Sequence, residues 1–151
     1  MQTETTQKLK YGMYGRKSSE WEDRQVLSID AQVDSAREIC KNLGIRIAEG
    51  NSLTESKSAK TTAHRPLFKE MLDKLERGDM NAIVAWHADR LSRNAIDSAF
   101  LIDMMDRGKL IEIVTPGQTY RNTPFDKFMF TLACTQAKME NDKKGIDVTR
   151  G

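Results

Sequence analysis

The stretch Ala82-Ile-Val-Ala-Trp86, followed by His87-Ala-Asp89-Arg90-Leu-Ser-Arg93, decides how this sequence of 151 residues folds. Five consecutive apolar residues are typical of a central parallel strand whose two faces are both covered. The charged residues that come directly after this strand would then lie at the carboxyl edge of the sheet. In open α/β sheets, ligands bind at that edge.

Strand and helix patterns alternate along the rest of the chain. Short apolar runs predict strands, and apolar positions at helical spacing, bounded by capping residues and glycines, predict helices. The predicted strands are 10–16, 45–49, 82–86 and 111–115, and the predicted helices are 28–43, 65–77, 95–107 and 124–148. The polar stretch 51–64 is predicted to be a functional loop. This order predicts an α/β fold with a mainly parallel central sheet, helices on both faces and a long C-terminal helix.

Composition limits the class of protein. The chain is 38% apolar and 30% charged, as expected for one globular domain, and its net charge of +2 does not by itself indicate nucleic-acid binding. No apolar run is long enough for a bilayer span and residues 1–10 contain no signal core, so we expect a cytoplasmic protein without a membrane partner. Cys40 and Cys134 are expected to be buried reduced thiols. With only two histidines and no clustered carboxylates, we expect neither a metal site nor a cofactor.

A second cluster, Tyr14-Gly-Arg16-Lys-Ser18-Ser19, follows the first predicted strand. Arg16 and Ser18 alternate along an extended chain and would point to the same side. In the first cluster, Arg90 and Arg93 are three residues apart, so one turn of helix would direct both toward one point. Arginine is well shaped to hold phosphate. A serine among arginines therefore suggests phosphoryl transfer with serine as nucleophile.

Simpler interpretations exist for each cluster. A lone loop serine is most often a helix cap or turn former, and Asp89 suits an N-cap followed by solvated arginines. Competing chemistries lack their motifs, because no glycine-rich phosphate loop is present and no G-x-S-x-G elbow surrounds a serine. A triad would have to use His64 or His87. Serine attack on a phosphate stabilised by arginine is what remains.

The ordered motifs resemble the catalytic domain of serine site-specific recombinases, most closely the large serine recombinases of phages and mobile elements. The motifs are Tyr14-x-Arg16-x-Ser18, Ser28-Ile-Asp-Ala-Gln32, Glu55-x-x-Ser58, Arg65-Pro66, Asp89-Arg90-Leu91-Ser92-Arg93 and the closing stretch 140–151. The resemblance covers nearly everything after Lys10. One departure is Ala59, where the family more often has glycine.

The resemblance implies a role for each matching residue. Ser18 would attack a DNA phosphodiester to give a 5′-phosphoserine link and a free 3′-hydroxyl, without ATP or metal. Around it, Arg16, Arg90, Arg93 and Arg65 would hold the phosphate, and Asp89 would organise the site or move a proton. Gln32 and Ser58 match positions near the site, and Lys57 and Lys60 are candidate DNA contacts.

The resemblance also implies partners and a domain plan. Residues 1–10 would be a disordered or extended segment, 11–123 the catalytic domain, and 124–151 a helix leading to DNA-binding domains that are absent from this sequence. Double-stranded DNA at recombination sites would be the substrate, and the intact protein would form homodimers and tetramers. Phe128, Leu132 and Met139 are candidates for the subunit contact, unless they only cover the sheet. The alternatives are a non-cutting regulatory module of recombinase-like fold and a serine-dependent small-molecule phosphotransferase.

Overall fold

A computed structural model of the chain describes residues 8–16, 29–55, 66–92 and 95–135. These ranges contain a five-stranded sheet of order β2-β1-β3-β4-β5 with helices around it. The strands are β1 (Tyr11–Arg16), β2 (Ile47–Glu55), β3 (Ala82–Ala85), β4 (Glu112–Thr115) and β5 (Gln118–Arg121). The helices are α1 (Ile29–Leu43), α2 (Pro66–Arg77), the short α3 (Ala88–Leu91), α4 (Ala95–Asp106) and α5 (124–135).

The sheet is mainly parallel, as the alternation of strands and helices predicts. Strand β1 pairs in parallel with β2 on one side and with β3 on the other, and β4 pairs in parallel with β3. Only the edge strand β5 is antiparallel among the described strands. The predicted α/β architecture is confirmed.

Helices cover both faces of the sheet because successive residues of each strand point to opposite sides. Tyr14, Ile83 and Ile113 join the larger core cluster, which contains the buried side chains of α2, α4 and α5. Their neighbours Met13 and Val84 join a smaller cluster with α1. The fully apolar β3 therefore lies in the middle of the sheet with both faces buried, as its sequence predicts.

The bounds predicted for the second strand are wrong. Strand β2 extends to Glu55, into the stretch that was predicted to be a loop. The prediction missed this extension because two of the three buried residues there, Asn51 and Glu55, are polar, and only Leu53 between them is apolar. Asn51 accepts a hydrogen bond from Lys74 Nζ at 3.2 Å and donates one to the carbonyl of Asp79 at 3.3 Å. Buried polar side chains with partners do not produce an apolar pattern.

Strand β5 has no counterpart in the sequence prediction. It forms a hairpin with β4 through the two residues Pro116 and Gly117, and Gly117 has φ +78, a backbone conformation that glycine adopts without strain. Thr115 donates its hydroxyl hydrogen to the carbonyl of Gln118 at 2.8 Å across this turn. Tyr120 is the only buried residue of β5, so the strand lacks an apolar signal.

The helix predictions hold within one or two residues where the structure describes them. Both α2 and α4 end just before a glycine of positive φ, Gly78 and Gly108. Cys40 and Cys134 are buried free thiols, as expected. Residues 124–135 form the described part of the predicted C-terminal helix, and 136–148 lie outside the described residues. Within the described residues, no helix is long and apolar enough to cross a membrane.

Candidate active site

The described parts of the two sequence clusters meet at the carboxyl edge of the sheet. Strand β1 ends at Arg16, and β3 ends at Ala85, just before the short helix α3 that carries Asp89 and Arg90. The two strands are parallel neighbours, with Tyr14 opposite Ala85. The next long helix after β1 is α1 and the next long helix after β3 is α4, and these two helices pack on opposite faces of the sheet. Such a point, where the chain leaves adjacent strands in opposite directions, is the usual position of a ligand site in open α/β sheets.

A hydrogen bond joins the clusters directly. Arg16 donates from Nη2 to the backbone carbonyl of Asp89 at 3.1 Å, across 73 positions of sequence. Arg16 and Arg90 are only 1% and 2% exposed. A guanidinium stays charged at every physiological pH, so the edge holds two fixed positive charges in a partly dehydrated setting. The burial of Arg90 contradicts the simpler interpretation, a solvated arginine after a capping aspartate, for that residue.

Helix α3 is capped by His87 and not by Asp89. His87 has extended backbone angles, and its Nδ1 accepts a hydrogen bond from the amide of Asp89 at 3.2 Å. The helix ends at Leu91, and Ser92 is extended. One helical turn therefore does not run from Arg90 to Arg93, contrary to the expectation from their spacing, and Arg93 itself lies outside the described residues.

Asp89 is held as a carboxylate by its neighbours. Its Oδ1 lies 3.5 Å from Nε of Arg90 and 3.2 Å from Nδ1 of His87. Burial raises the pKa of Asp89, but the positive charges of Arg90 and Arg16 favour the carboxylate, so the pKa lies below its usual value. Because Asp89 remains ionised near neutral pH, it is suited to fixing a guanidinium and is poorly suited to acting as a general acid.

Glu55, at the end of β2, holds β1 and α2 in place beside Arg16. It is opposite Arg16 in the pairing of β1 with β2 and is 5% exposed. Its carboxylate accepts hydrogen bonds from the hydroxyl of Tyr14 and from the amide of Leu67, the latter at 3.0 Å. Leu67 is in the first turn of α2, where a negative charge is favoured by the helix dipole. Glu55 therefore ties together β1, β2 and α2 beside Arg16.

Helix α5 contacts α3 through the side chain of Cys134. Sγ of the buried Cys134 is 3.9 Å from the carbonyl oxygen of Ala88, which begins α3. Burial raises the pKa of Cys134 to about 12, and a hydrogen bond from Ser92 lowers it only in part. The side chain therefore stays a neutral thiol that can donate to the carbonyl. The segment that carries Asp89 and Arg90 thus rests on the C-terminal helix.

The structure brings together part of the predicted site. It places Arg16, Asp89 and Arg90 at one edge and buries Gln32 in α1 at 2% exposure. The remaining predicted residues lie outside the described residues; they are Ser18, Lys57, Ser58, Lys60, Arg65 and Arg93.

Sequence reasoning missed three supporting contacts, those of His87, Glu55 and Cys134. Glu55 belongs to a quoted motif and could have been weighed as a helix-terminus carboxylate. His87 is an uncommon capping residue, and nothing in the sequence relates Cys134 to α3, 46 positions away. Within the described ranges, no group of three His, Cys, Asp or Glu residues could hold a metal ion.

Comparisons with known proteins identify the family of the chain. The family model "Resolvase, N terminal domain" matches residues 12–151. A DNA-invertase of Escherichia phage P1 is 31% identical over an alignment of 103 positions, and the match covers 64% of this chain and 54% of that protein. The chain therefore spans about half the length of this relative.

Two solved structures show a similar fold at low sequence identity. The N-terminal catalytic domain of TP901-1 integrase has a TM-score of 0.64 and 18% identity, covering 89% of this chain and 98% of that chain. A resolvase family site-specific recombinase from Streptococcus pneumoniae has a TM-score of 0.61 and 21% identity, covering 95% of each chain. The family model extends over nearly the whole sequence, including both clusters at the carboxyl edge. The chain belongs to the resolvase family, as a catalytic domain of the serine recombinase type.

Proposed function

We propose that this chain is a DNA strand-cleaving and rejoining domain in which Ser18 is the nucleophile. The hydroxyl oxygen of Ser18 attacks a DNA phosphodiester, a 5′-phosphoserine bond forms, and the 3′-oxygen leaves with a proton as a free hydroxyl. After strand exchange, a 3′-hydroxyl attacks the phosphoserine and releases the serine. The observation that carries the proposal is the 3.1 Å hydrogen bond from Arg16 to the Asp89 carbonyl, which joins the two motifs at a ligand-binding edge.

The arginines supply the electrostatic stabilisation. Arg16 and Arg90 are buried and positioned by Asp89, so they offer donors to a phosphate without having to reorganise. Arg93 and Arg65 complete the set of cations, Gln32 and Ser58 lie near the phosphate, and Lys57 and Lys60 contact the DNA backbone. Asp89, whose pKa is lowered, positions Arg90 as a carboxylate.

The reaction needs neither ATP nor a metal ion in this proposal. The phosphoserine ester conserves the energy of the broken phosphodiester, so rejoining requires no external energy source. Positive charge comes from guanidinium groups, which can take the place of a metal in stabilising the transition state. Cleavage that continues at full rate in excess EDTA is the expected result, and a requirement for Mg²⁺ would contradict this part of the proposal.

The substrate is double-stranded DNA, and the active form is an assembly of copies of the chain. Three large apolar side chains of α5, those of Phe125, Phe128 and Leu132, are 68%, 64% and 37% exposed, whereas Phe130 and Cys134 on the same helix are buried in the core. Phe128 and Leu132 are therefore not used to cover the sheet, which favours their predicted role as a subunit contact. Sedimentation at several concentrations should show a dimer that Leu132→Glu disrupts. A monomer at every concentration would contradict the contact.

The decisive experiment traps the covalent intermediate. The chain, with whatever DNA-binding segments it has in its natural protein, is incubated with DNA carrying its recombination site, and the reaction is stopped with detergent. Wild type and Ser19→Ala should give a covalent protein–DNA adduct, and Ser18→Ala should give none. Equal adduct formation by Ser18→Ala would overturn the assignment of the nucleophile.

The same preparation separates the rival functions. A regulatory module would bind DNA without forming an adduct in any variant. A small-molecule phosphotransferase would transfer phosphate from nucleotides and would leave supercoiled plasmid intact.

A further inference from the structure

A basic pocket lies at the amino edge of the sheet, opposite the proposed active site. It has a volume of about 360 Å³ and is formed by the segment before β1, the C-terminal ends of α2 and α4, and Asn81. Four cationic side chains line it, those of Lys8, Lys10, Arg107 and Lys109. No acidic side chain is among the lining residues.

Asn81 holds the two N-terminal lysines in place. Its side chain accepts a hydrogen bond from the amide of Lys10 at 2.6 Å and donates one to the carbonyl of Lys8 at 2.9 Å. Its own amide donates to the carbonyl of Lys10 at 2.8 Å. Residues 8–10 are thus tied to Asn81, and both Lys8 and Lys10 line the pocket.

Charge is unbalanced in this pocket. Arg107 is neutralised by Glu76 at 2.7 Å and by Asp103 at 2.9 Å. Lys8, Lys10 and Lys109 have no ion pair with any residue that the structure describes. Three lysines around one cavity repel one another unless an anion enters it.

Capping of the helix ends does not account for these lysines. In the last turns of the two helices, backbone amides from the segments that follow already serve as donors: the carbonyls of Lys74 and Leu75 in α2 and of Met104 and Met105 in α4 accept them. Only Lys10 contributes further, donating to the carbonyl of Gly78 at 3.2 Å. The ammonium groups of Lys8 and Lys109 therefore remain available to a ligand.

We propose that the pocket binds a phosphate-bearing anion. Lysine ammonium groups hold phosphate as point charges, and the single apolar lining side chain, Leu75, offers no surface for stacking a base. The recognised group is thus the phosphate itself, whether it belongs to a small polyphosphate or to the backbone of a DNA segment distant from the cleaved bond. This site does not depend on the proposed function, because it shares no residue with the active site.

Pyrophosphate is the probe, and backbone amide NMR of the full chain locates its binding. We expect shifts at Gly78, Asn81 and Gly108, with affinity at least about tenfold weaker in the double variant Lys8→Gln/Lys109→Gln. The charge-matched control is Lys41→Gln/Arg46→Gln, which removes two exposed cations elsewhere and should bind as wild type. Shifts confined to residues 89–92, or equal affinity of the two double variants, would overturn the proposal.

A second arm identifies the source of the phosphate. A short duplex without a recombination site replaces pyrophosphate in the same experiment. Shifts at the same three amides with both probes support a DNA backbone contact, and shifts with pyrophosphate alone support a small-anion site. No shift at these amides with either probe would overturn the proposal.

Discussion

The two edges of the sheet both concentrate positive charge, but they do so with different residues and different support. At the carboxyl edge, Arg16 and Arg90 are buried, and Arg16 donates to the backbone of the turn beside it. At the amino edge, Lys8 and Lys10 are exposed; Asn81 fixes their backbone, and the one side-chain hydrogen bond of Lys10 is to the carbonyl of Gly78. Arginine with a fixed plane suits a reaction in which geometry matters, whereas lysine suits the attraction of charge alone.

Exchanging arginine for lysine at the carboxyl edge should have the largest effect. Arg16→Lys keeps the charge but loses the planar fork and the contact with the Asp89 carbonyl. We expect DNA cleavage to fall by about a hundredfold or more, the cost of one transition-state donor. Single-turnover adduct formation measures it, with the exposed Arg37→Lys as control. Loss of less than about threefold would mean that charge alone suffices at this edge too.

Removing one hydroxyl tests how firmly the carboxyl edge is supported. Tyr14→Phe deprives the buried Glu55 carboxylate of a donor, and we expect the free energy of unfolding to fall by about 1–3 kcal/mol. Tyr120→Phe is the matched control, because the Tyr120 hydroxyl forms no hydrogen bond with the described residues and its ring contact with Phe130 survives. Urea unfolding of both variants measures the difference. Equal losses would show that Glu55 does not depend on Tyr14.

Lowering the pH should reduce the free energy of unfolding through protonation of Asp89, by less than the loss expected for Tyr14→Phe. The pKa of Asp89 is lower in the folded chain than in the unfolded chain, so the unfolded chain takes up the proton first as pH falls. The stabilisation is complete above the unfolded pKa of about 3.9 and disappears as pH falls through the folded value. Urea unfolding at several pH values should therefore show a steeper acid loss for wild type than for Asp89→Asn. Parallel curves would contradict the ion pairing of Asp89.

Apolar pattern predicted most of the fold, and buried polar residues account for its errors. Strand β3 and helices α2 and α4 follow from runs and stripes of apolar residues closed by glycines. The end of β2 was not predicted because Asn51 and Glu55 are buried there as polar residues. They form hydrogen bonds with Lys74, Tyr14 and Leu67 in place of apolar contacts. Strand β5 was not predicted because this edge strand has only one buried side chain and therefore no apolar pattern. The Pro116-Gly117 pair predicts a turn but does not indicate that a strand follows it.

The part of the site that consists of short sequence motifs could be predicted from the sequence. The predicted strands place Arg16, Asp89 and Arg90 at one edge if those strands are neighbours, and β1 and β3 do pair in parallel. The support of α3 depends on the capping side chain of His87 and on Cys134, which belongs to a helix distant in sequence. Such contacts arise from three-dimensional packing and leave no local pattern.

The central claim is that the arginine-lined edge serves one serine, and peptide mapping of the DNA-linked protein tests it most directly. Trypsin cleaves after Lys17 and Arg24, so both candidate serines, Ser18 and Ser19, fall in one short peptide. After nuclease treatment, fragmentation mass spectrometry should find a 5′-nucleotide phosphate on Ser18. A nucleotide on Ser19, or on a residue outside this peptide, would contradict the account.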